Sequence, residues 1–332
     1  MWKSGPTNSV ADIRGLVLGH AHNEVAKSGT SVIIFDEPTI ASVAIHGQAP
    51  GTRETELLHS ARTVQKIDAL VLSGGSAFGL AAADSVMAKL AKDGRGFAVG
   101  DARVPIVPAA ILFDLTNGGK KPEDLGGLYR ELGTQAFEGA RHNDQSLGQI
   151  GAGFGASTGA SVGGLGVASC IFTDDVPEDL QGHTVAAMVA VNAVGSPFVD
   201  GGPHFRAAPF ELDGEYGGLG MGEARTPATP RTKLNPAPCQ NTTIGAIITS
   251  VPLTKPGCHS LAIAGQDGIT AAIYPAHTAL DGDLVFAAST GTQIATEDLA
   301  TLVLLQAATT ATMARAIARG VYSANNTSPS QS

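Results

Sequence analysis

Short apolar runs rich in β-branched residues alternate along this chain with longer stretches of helical periodicity. Residues 31–35 (SVIIF) and 69–72 (ALVL), each bounded by turn residues, read as buried strands. A Gly-Gly turn then leads into residues 76–92, a predicted helix that stops near Gly94. Farther along, residues 244–251 (IGAIITSV) are apolar at odd and even positions alike, as a strand buried on both faces requires. Leu261, Ala264, Gly265, Gly268, Ile269 and Ala272 recur at helical spacing, and Pro275 follows as a stop. Residues 284–288 (LVFAA) predict a further strand, and residues 297–319 a C-terminal helix with Gly320 as its cap. Strands and helices mixed around an apolar interior imply layered sheets with helices outside. Residues 214–240, rich in Gly and Pro, read as a long exposed loop, and the final NNTSPSQS as a frayed tail.

Composition narrows the picture. A mean hydropathy of +0.12 over 332 residues excludes general disorder, because so apolar a chain can offset its ordering entropy by burial. Glycine, at 42 residues, is nearly twice its usual share of roughly 7% and has no three-residue period, which excludes collagen and points to tight turns and close backbone packing. The net charge of −9 disfavours nucleic acid and anionic membranes as partners. The most apolar window, residues 184–199, is interrupted by Asn192, Gly195 and Pro197, so no membrane span is expected. The start, MWKSGPTNSVADIRG, has no secretory pattern, and a cytoplasmic location is expected.

Cys170, Cys239 and Cys258 are odd in number, widely spaced and lack a C-x-x-C, which argues for buried or incidental thiols. His20 and His22 would share one face of a strand, but the local sequence offers no carboxylate to complete a metal site. The link SGGSAFG between strand and helix lacks the Lys-Ser/Thr ending of a phosphate loop and is better read as tight helix-on-sheet packing. Gly155-Ala156-Ser157-Thr158-Gly159 fits G-x-S-x-G, and His277 beyond an intervening Asp would keep triad order. Yet the flanks supply neither the strand nor the helix that a nucleophile elbow needs. Gly151-x-Gly153 is weaker still as a dinucleotide fingerprint.

Two segments carry more. Asn241-Thr242-Thr243 stands where the Pro-rich loop meets a buried strand. Thr opens many strands and Asn suits turns; a functional reading requires the chain to cut itself so that Thr242 becomes a new N-terminus. In His277-Thr278-Ala279-Leu280-Asp281-Gly282-Asp283, two carboxylates flank a glycine. This is either turn chemistry or a pair whose repulsion separates its pKa values.

With these residues the sequence resembles the DmpA-type self-processing aminopeptidases, a family of D-aminopeptidases, β-peptidyl aminopeptidases and the nylon-oligomer endohydrolase. The matching segments are GQAPGTRETELL (47–58), IDALVLSGGSAFGLAAAD (67–84), VPIVPAAILFDL (104–115), QNTTIGAIITSVPL (240–253) and PAHTALDGD (275–283). The resemblance implies a four-layer αββα sandwich similar to N-terminal-nucleophile hydrolases. It implies cleavage of one catalytic domain, residues 1–332, between Asn241 and Thr242 into an α chain (1–241) and a β chain (242–332). Thr242 falls at the family's nucleophile, Asp281 and Asp283 at its acidic pair, and Asn192 at an oxyanion-stabilising Asn; read blandly, Asn192 is a polar residue ending a buried strand. Phe78 falls at a substrate-pocket position. No cofactor is implied, the expected partners are a small peptide or amide substrate and further copies of the chain as a tetramer of αβ units, and substrate identity stays open.

One departure stands out. Relatives carry a Lys near the nucleophile where this chain has Ala160, and no Lys occurs between Lys121 and Lys233. Three functions follow as expectations: a self-cleaving amidohydrolase acting through an acyl-threonine, an acyltransferase of the ornithine acetyltransferase type, or a catalytically impaired binding relative.

Overall fold

The computed structural model describes residues 1–159, 161–199, 202–223, 230–233, 241–293 and 298–326. In chain order the elements are β1 (Trp2–Ser4), β2 (Leu16–Asn23), β3 (Ser28–Ile45), β4 (Gly51–Arg53), β5 (Lys66–Ser73), α1 (Ala81–Lys92), β6 (Phe97–Val99), β7 (Ala102–Val104) and β8 (Ala109–Ile111). They continue with α2 (Leu125–Glu138), β9 (Gly164–Phe172), β10 (Thr184–Asn192), β11 (Thr242–Thr249), α3 (Lys255–Ala272), β12 (Leu284–Ser289) and α4 (Leu299–Asn326).

The long strand β3 organises the sheet. Its first part pairs with β2 and β5, its last part pairs with β12, and the exposed Asp36, Glu37 and Pro38 lie between them. The register against β5 shifts between Ile34 and Thr39, as a strand does where it bends. One leaf therefore runs β2-β3-β5-β8-β4 and the other β1-β9-β10-β11-β12-β3, joined through β3.

Strand alternation sorts side chains into three apolar layers. Ile33, Phe35, Leu70 and Leu72 from one leaf meet Met188, Ile244, Ala246, Ile248 and Phe286 from the other, forming the layer between leaves. On the opposite faces, Val32, Ile34, Ala69 and Val71 pack beneath α1 and α2, while Val185, Val189, Ile247 and Val285 pack beneath α3 and α4. The result is the expected helix, sheet, sheet, helix sandwich. The apolar helix α4 has the length of a membrane span, but it is mostly buried against β9, β10 and α3.

Several boundaries differ from the sequence reading. Residues 76–80 form a separate 3-10 turn before α1, in which Gly79 passes so close to the Gly74 carbonyl that no Cβ fits there. Gly320 is not a cap: it lies inside α4, where a Cβ would meet Gly166 Cα at 2.7 Å, so this glycine lets helix and strand approach. Helix α2, with glycines 126, 127 and 133, gave little helical signal. The Gly/Pro-rich loop is not wholly exposed, since Tyr216 is buried and its hydroxyl donates to Ala207 O at 2.7 Å. Residues 224–229 and 234–240 of that loop, Cys239 among them, and residues 327–332 of the tail lie outside the described residues, and Asn325 and Asn326 continue α4.

Candidate active site

Strands β11 and β12 are parallel neighbours joined by the α3 crossover, so their N-terminal ends lie side by side. Strand β10 runs antiparallel to β11, which brings its C-terminal end to the same place. Three sequence-distant segments thereby meet at one rim of the sandwich: Asn241-Thr242, the turn around Asp281-Gly282-Asp283, and Asn192. Asn192 pairs in register with Thr242, and both share the parity of residues that face the layer between the leaves.

The Asn241–Thr242 peptide is held from both sides. Asn241 N–H donates to Leu280 O at 3.0 Å, and Gly282 N–H donates to the Asn241 carbonyl oxygen at 3.1 Å. The Thr242 hydroxyl donates to the same carbonyl oxygen, and Gly282 N–H also lies 3.3 Å from Thr242 Oγ1. Asn241, Thr242, Asp281 and Asp283 are all nearly inaccessible to solvent.

The two carboxylates brace this arrangement through backbone amides. Asp283 Oδ1 accepts from Thr243 N–H at 2.7 Å, and its Oδ2 accepts from His277 N–H at 3.0 Å and sits 2.9 Å from His277 Nδ1. Asp281 Oδ1 accepts from Val194 N–H at 3.2 Å, and Oδ2 from Thr278 N–H at 2.9 Å and the Thr278 hydroxyl at 2.6 Å. Burial, with the nearby Asp283 charge, pushes the Asp281 carboxyl above its usual range. Burial alone would lower His277, but its bond and charge attraction to Asp283 outweigh that and leave it raised.

Asn192 closes the third side. Its Nδ2 donates to Phe113 O at 2.8 Å, while Oδ1 accepts from Ser157 N–H at 3.1 Å and from Lys233 Nζ at 3.1 Å. Lys233 Nζ also donates to Asn241 Oδ1 at 2.6 Å. A cavity of about 100 Å³ opens here, bounded by Asp114, Asn117, Ser157, Asn192, Lys233 and Asn241 among others.

Thr242, Asn192, Asp281 and Asp283 thus converge. Phe78 sits half-exposed on the turn before α1 and is not among the residues lining this cavity; Ala160 lies outside the described residues. Ser157 joins through its backbone N–H, with no helix following it, so the elbow geometry is not formed. His20 sits 3.4 Å from Asp144 and 2.8 Å from Ser31 Oγ, and His22 stacks on Phe154; no group of three metal-binding side chains occurs among the described residues. Cys170 and Cys258 are buried, as expected. Sequence reasoning missed Gly282, which reads as an ordinary turn glycine, and Lys233, whose one signal was ending the stretch without lysine.

The sequence matches Peptidase family S58 over residues 8–332. It is 37% identical over 306 residues to an uncharacterised aminopeptidase of Mycobacterium leprae, covering 88% of this chain and 81% of that protein. It is 26% identical over 293 residues to the 6-aminohexanoate-oligomer endohydrolase of Agromyces sp. strain KY5R, covering 84% of this chain and 74% of the other. In fold it resembles a Burkholderia sp. β-aminopeptidase, with TM-score 0.71, 18% identity and coverage of 96% of this chain and 88% of that one. It also resembles the L-aminopeptidase D-Ala-esterase/amidase of Ochrobactrum anthropi, described as a variant of the Ntn hydrolase fold, with TM-score 0.68, 16% identity and coverage of 96% and 86%.

Proposed function

Because the chain belongs to Peptidase family S58, we propose that it is a self-cleaving aminopeptidase whose nucleophile is Thr242. The observation that carries this reading is the Thr242 hydroxyl seated on the Asn241 carbonyl oxygen, with Gly282 N–H donating to that oxygen at 3.1 Å. Attack of Thr242 Oγ1 on the Asn241 carbonyl carbon forms a C–O bond and places negative charge on the oxygen that Gly282 already holds. Collapse breaks the C–N bond, and the hydroxyl proton ends on the departing Thr242 nitrogen. Water then hydrolyses the resulting ester, leaving a carboxyl at Asn241 and a free amine at Thr242.

The freed α-amine has an ordinary pKa of about 7.7–8.0, so it can take the hydroxyl proton as Thr242 attacks a substrate amide. An acyl-threonine forms, the substrate amine leaves with that proton, and water releases the acyl group. Gly282 N–H and the second N–H of Asn192 Nδ2 are the donors for the developing oxyanion. Asp283 holds the strand start through Thr243, and Asp281 fixes the turn that carries Gly282.

The substrates proposed are small peptides or amides with a free amine, including β- and D-amino-acid amides and ω-amino-acid oligomers. The relatives named aminopeptidase and 6-aminohexanoate-oligomer endohydrolase support this range. Intact mass of the purified protein tests the processing: by share of the 33.6 kDa chain, fragments of roughly 24 and 9 kDa are expected from the acyl shift, with Thr242 as the N-terminus of the smaller. A chain that remains whole overturns the reading. Release of amine from a panel of L-, D- and β-amino-acid amides then orders the substrate classes.

A further inference from the structure

The stretch 230–233, on the N-terminal side of the Asn241–Thr242 bond, lies against the site wall. Lys233 N–H donates to Val194 O at 3.1 Å, next in the chain but one to Asn192. Gly159 makes room for this arm, because a Cβ there would meet Arg231 O at 2.7 Å and Thr232 Cα at 3.0 Å. The docked arm delivers the Lys233 ammonium between two side-chain amides, 2.6 Å from Asn241 Oδ1 and 3.1 Å from Asn192 Oδ1. Among the described residues lining the cavity, Lys233 supplies the positive charge.

An ammonium has three donors and no acceptor, so it dictates which end of each amide faces it. Asn241 must turn its oxygen toward Lys233, which seats the residue on the acyl side of the bond. Asn192 does the same: Lys233 and Ser157 N–H both donate to its Oδ1, which sends its Nδ2 to the other side, where one N–H bonds Phe113 O. We propose that Lys233 is a positioning residue for cleavage of the Asn241–Thr242 bond, carried on the arm of the very segment that is cut, and that it orients Asn241 and Asn192 together. This rests on the reading of that bond as the processing site. The lysine that the stretch between Lys121 and Lys233 lacks is thereby supplied to the site by Lys233 itself.

The test is a time course of chain cleavage, followed by intact mass on freshly made full-length protein, for the wild type, Lys233→Met, Lys233→Arg and Lys233→Ala. Circular dichroism checks folding. Removing a charge-assisted hydrogen bond is expected to slow Lys233→Met by about tenfold or more. Lys233→Arg, which keeps the charge, is expected to cleave faster than Lys233→Met. Added ethylammonium is expected to restore Lys233→Ala saturably, where sodium at equal ionic strength does not. Gly159→Leu, which keeps the lysine in the sequence but pushes the arm that carries it off the wall, is expected to slow cleavage as well. Cleavage of Lys233→Met at the wild-type rate overturns the proposal and leaves the processing site standing. Slow cleavage of Lys233→Ala that ethylammonium does not restore assigns the residue a structural part only and equally overturns it. A wild-type chain that stays whole removes the processing site, and this inference with it.

Discussion

Gly282 is the residue on which the site's geometry turns. Its N–H holds the Asn241 carbonyl oxygen, and a Cβ at this position would meet Ala49 O at 2.5 Å and Thr242 Oγ1 at 2.9 Å. Gly282→Ala is therefore expected to slow chain cleavage by about 10²-fold, the usual cost of misplacing an oxyanion donor, read from the fraction of intact chain over time. Thr242→Ala is expected to leave the chain whole under the same measurement, whereas Thr242→Ser keeps a hydroxyl and continues to cleave. His277 makes a pH prediction. Its folded pKa is raised, so its contribution to stability is full below its ordinary value of 6.5 and is lost as pH rises through the folded value. The Tm gap between wild type and His277→Gln should be widest below pH 6.5 and shrink as the pH is raised through the folded value; a gap that does not change with pH contradicts the pairing with Asp283. At this scale the sequence exposed residue types and not their contacts. Thr242, Asn192, Asp281 and Asp283 were legible through the resemblance. Gly282 and Lys233 were not, because a turn glycine and a loop lysine carry no local mark of what they touch.

Elements were legible where burial imposed a pattern. The runs within β3, β5, β11 and β12 are apolar at both parities because each strand is covered on both faces, and α3 and α4 are buried helices. Boundaries failed where tertiary contact overrode local preference. Helix α4 runs through Gly320 because the glycine meets Gly166 of β9, and β3 runs past its apolar core to bridge two leaves. Gly320→Ala sets two effects against each other. Helix propensity favours Ala by about 1 kcal/mol, but a Cβ 2.7 Å from the Gly166 backbone forces helix and strand apart, which costs roughly 1–3 kcal/mol. The variant is expected to be destabilised, read as a lower midpoint in urea; an unchanged or raised midpoint would mean that the helix shifts freely on the sheet.

Across the whole molecule, a buried ion pair ties distant parts of the chain. Arg315 in α4 is 1% exposed and contacts Glu215 at 2.5 and 3.0 Å, Asn8 Oδ1 at 2.9 Å and Ser169 O at 2.9 Å. Glu215→Ala strands this guanidinium in the interior and is expected to cost about 3–5 kcal/mol, checked by denaturant unfolding. The proposed cut also has a whole-molecule consequence. Strand β11 would begin the proposed β chain, yet it pairs along its full length with β10 on the other side of the cut, and its side chains enter the apolar layers on both faces. The two fragments are expected to co-elute in size-exclusion chromatography and to part only in denaturant. Burial and periodicity act locally, so the amino-acid order alone established a layered α/β interior, the runs within β3, β5, β11 and β12, the helices α1, α3 and α4, and the residue types that the proposed self-cleavage needs. Convergence is not local. A parallel β11-β12 pair, an antiparallel β10 and the docked arm place Asn192, Lys233, Asn241, Thr242 and Gly282 together, and that meeting depends on pairing register and chain crossing, which no single stretch of sequence contains.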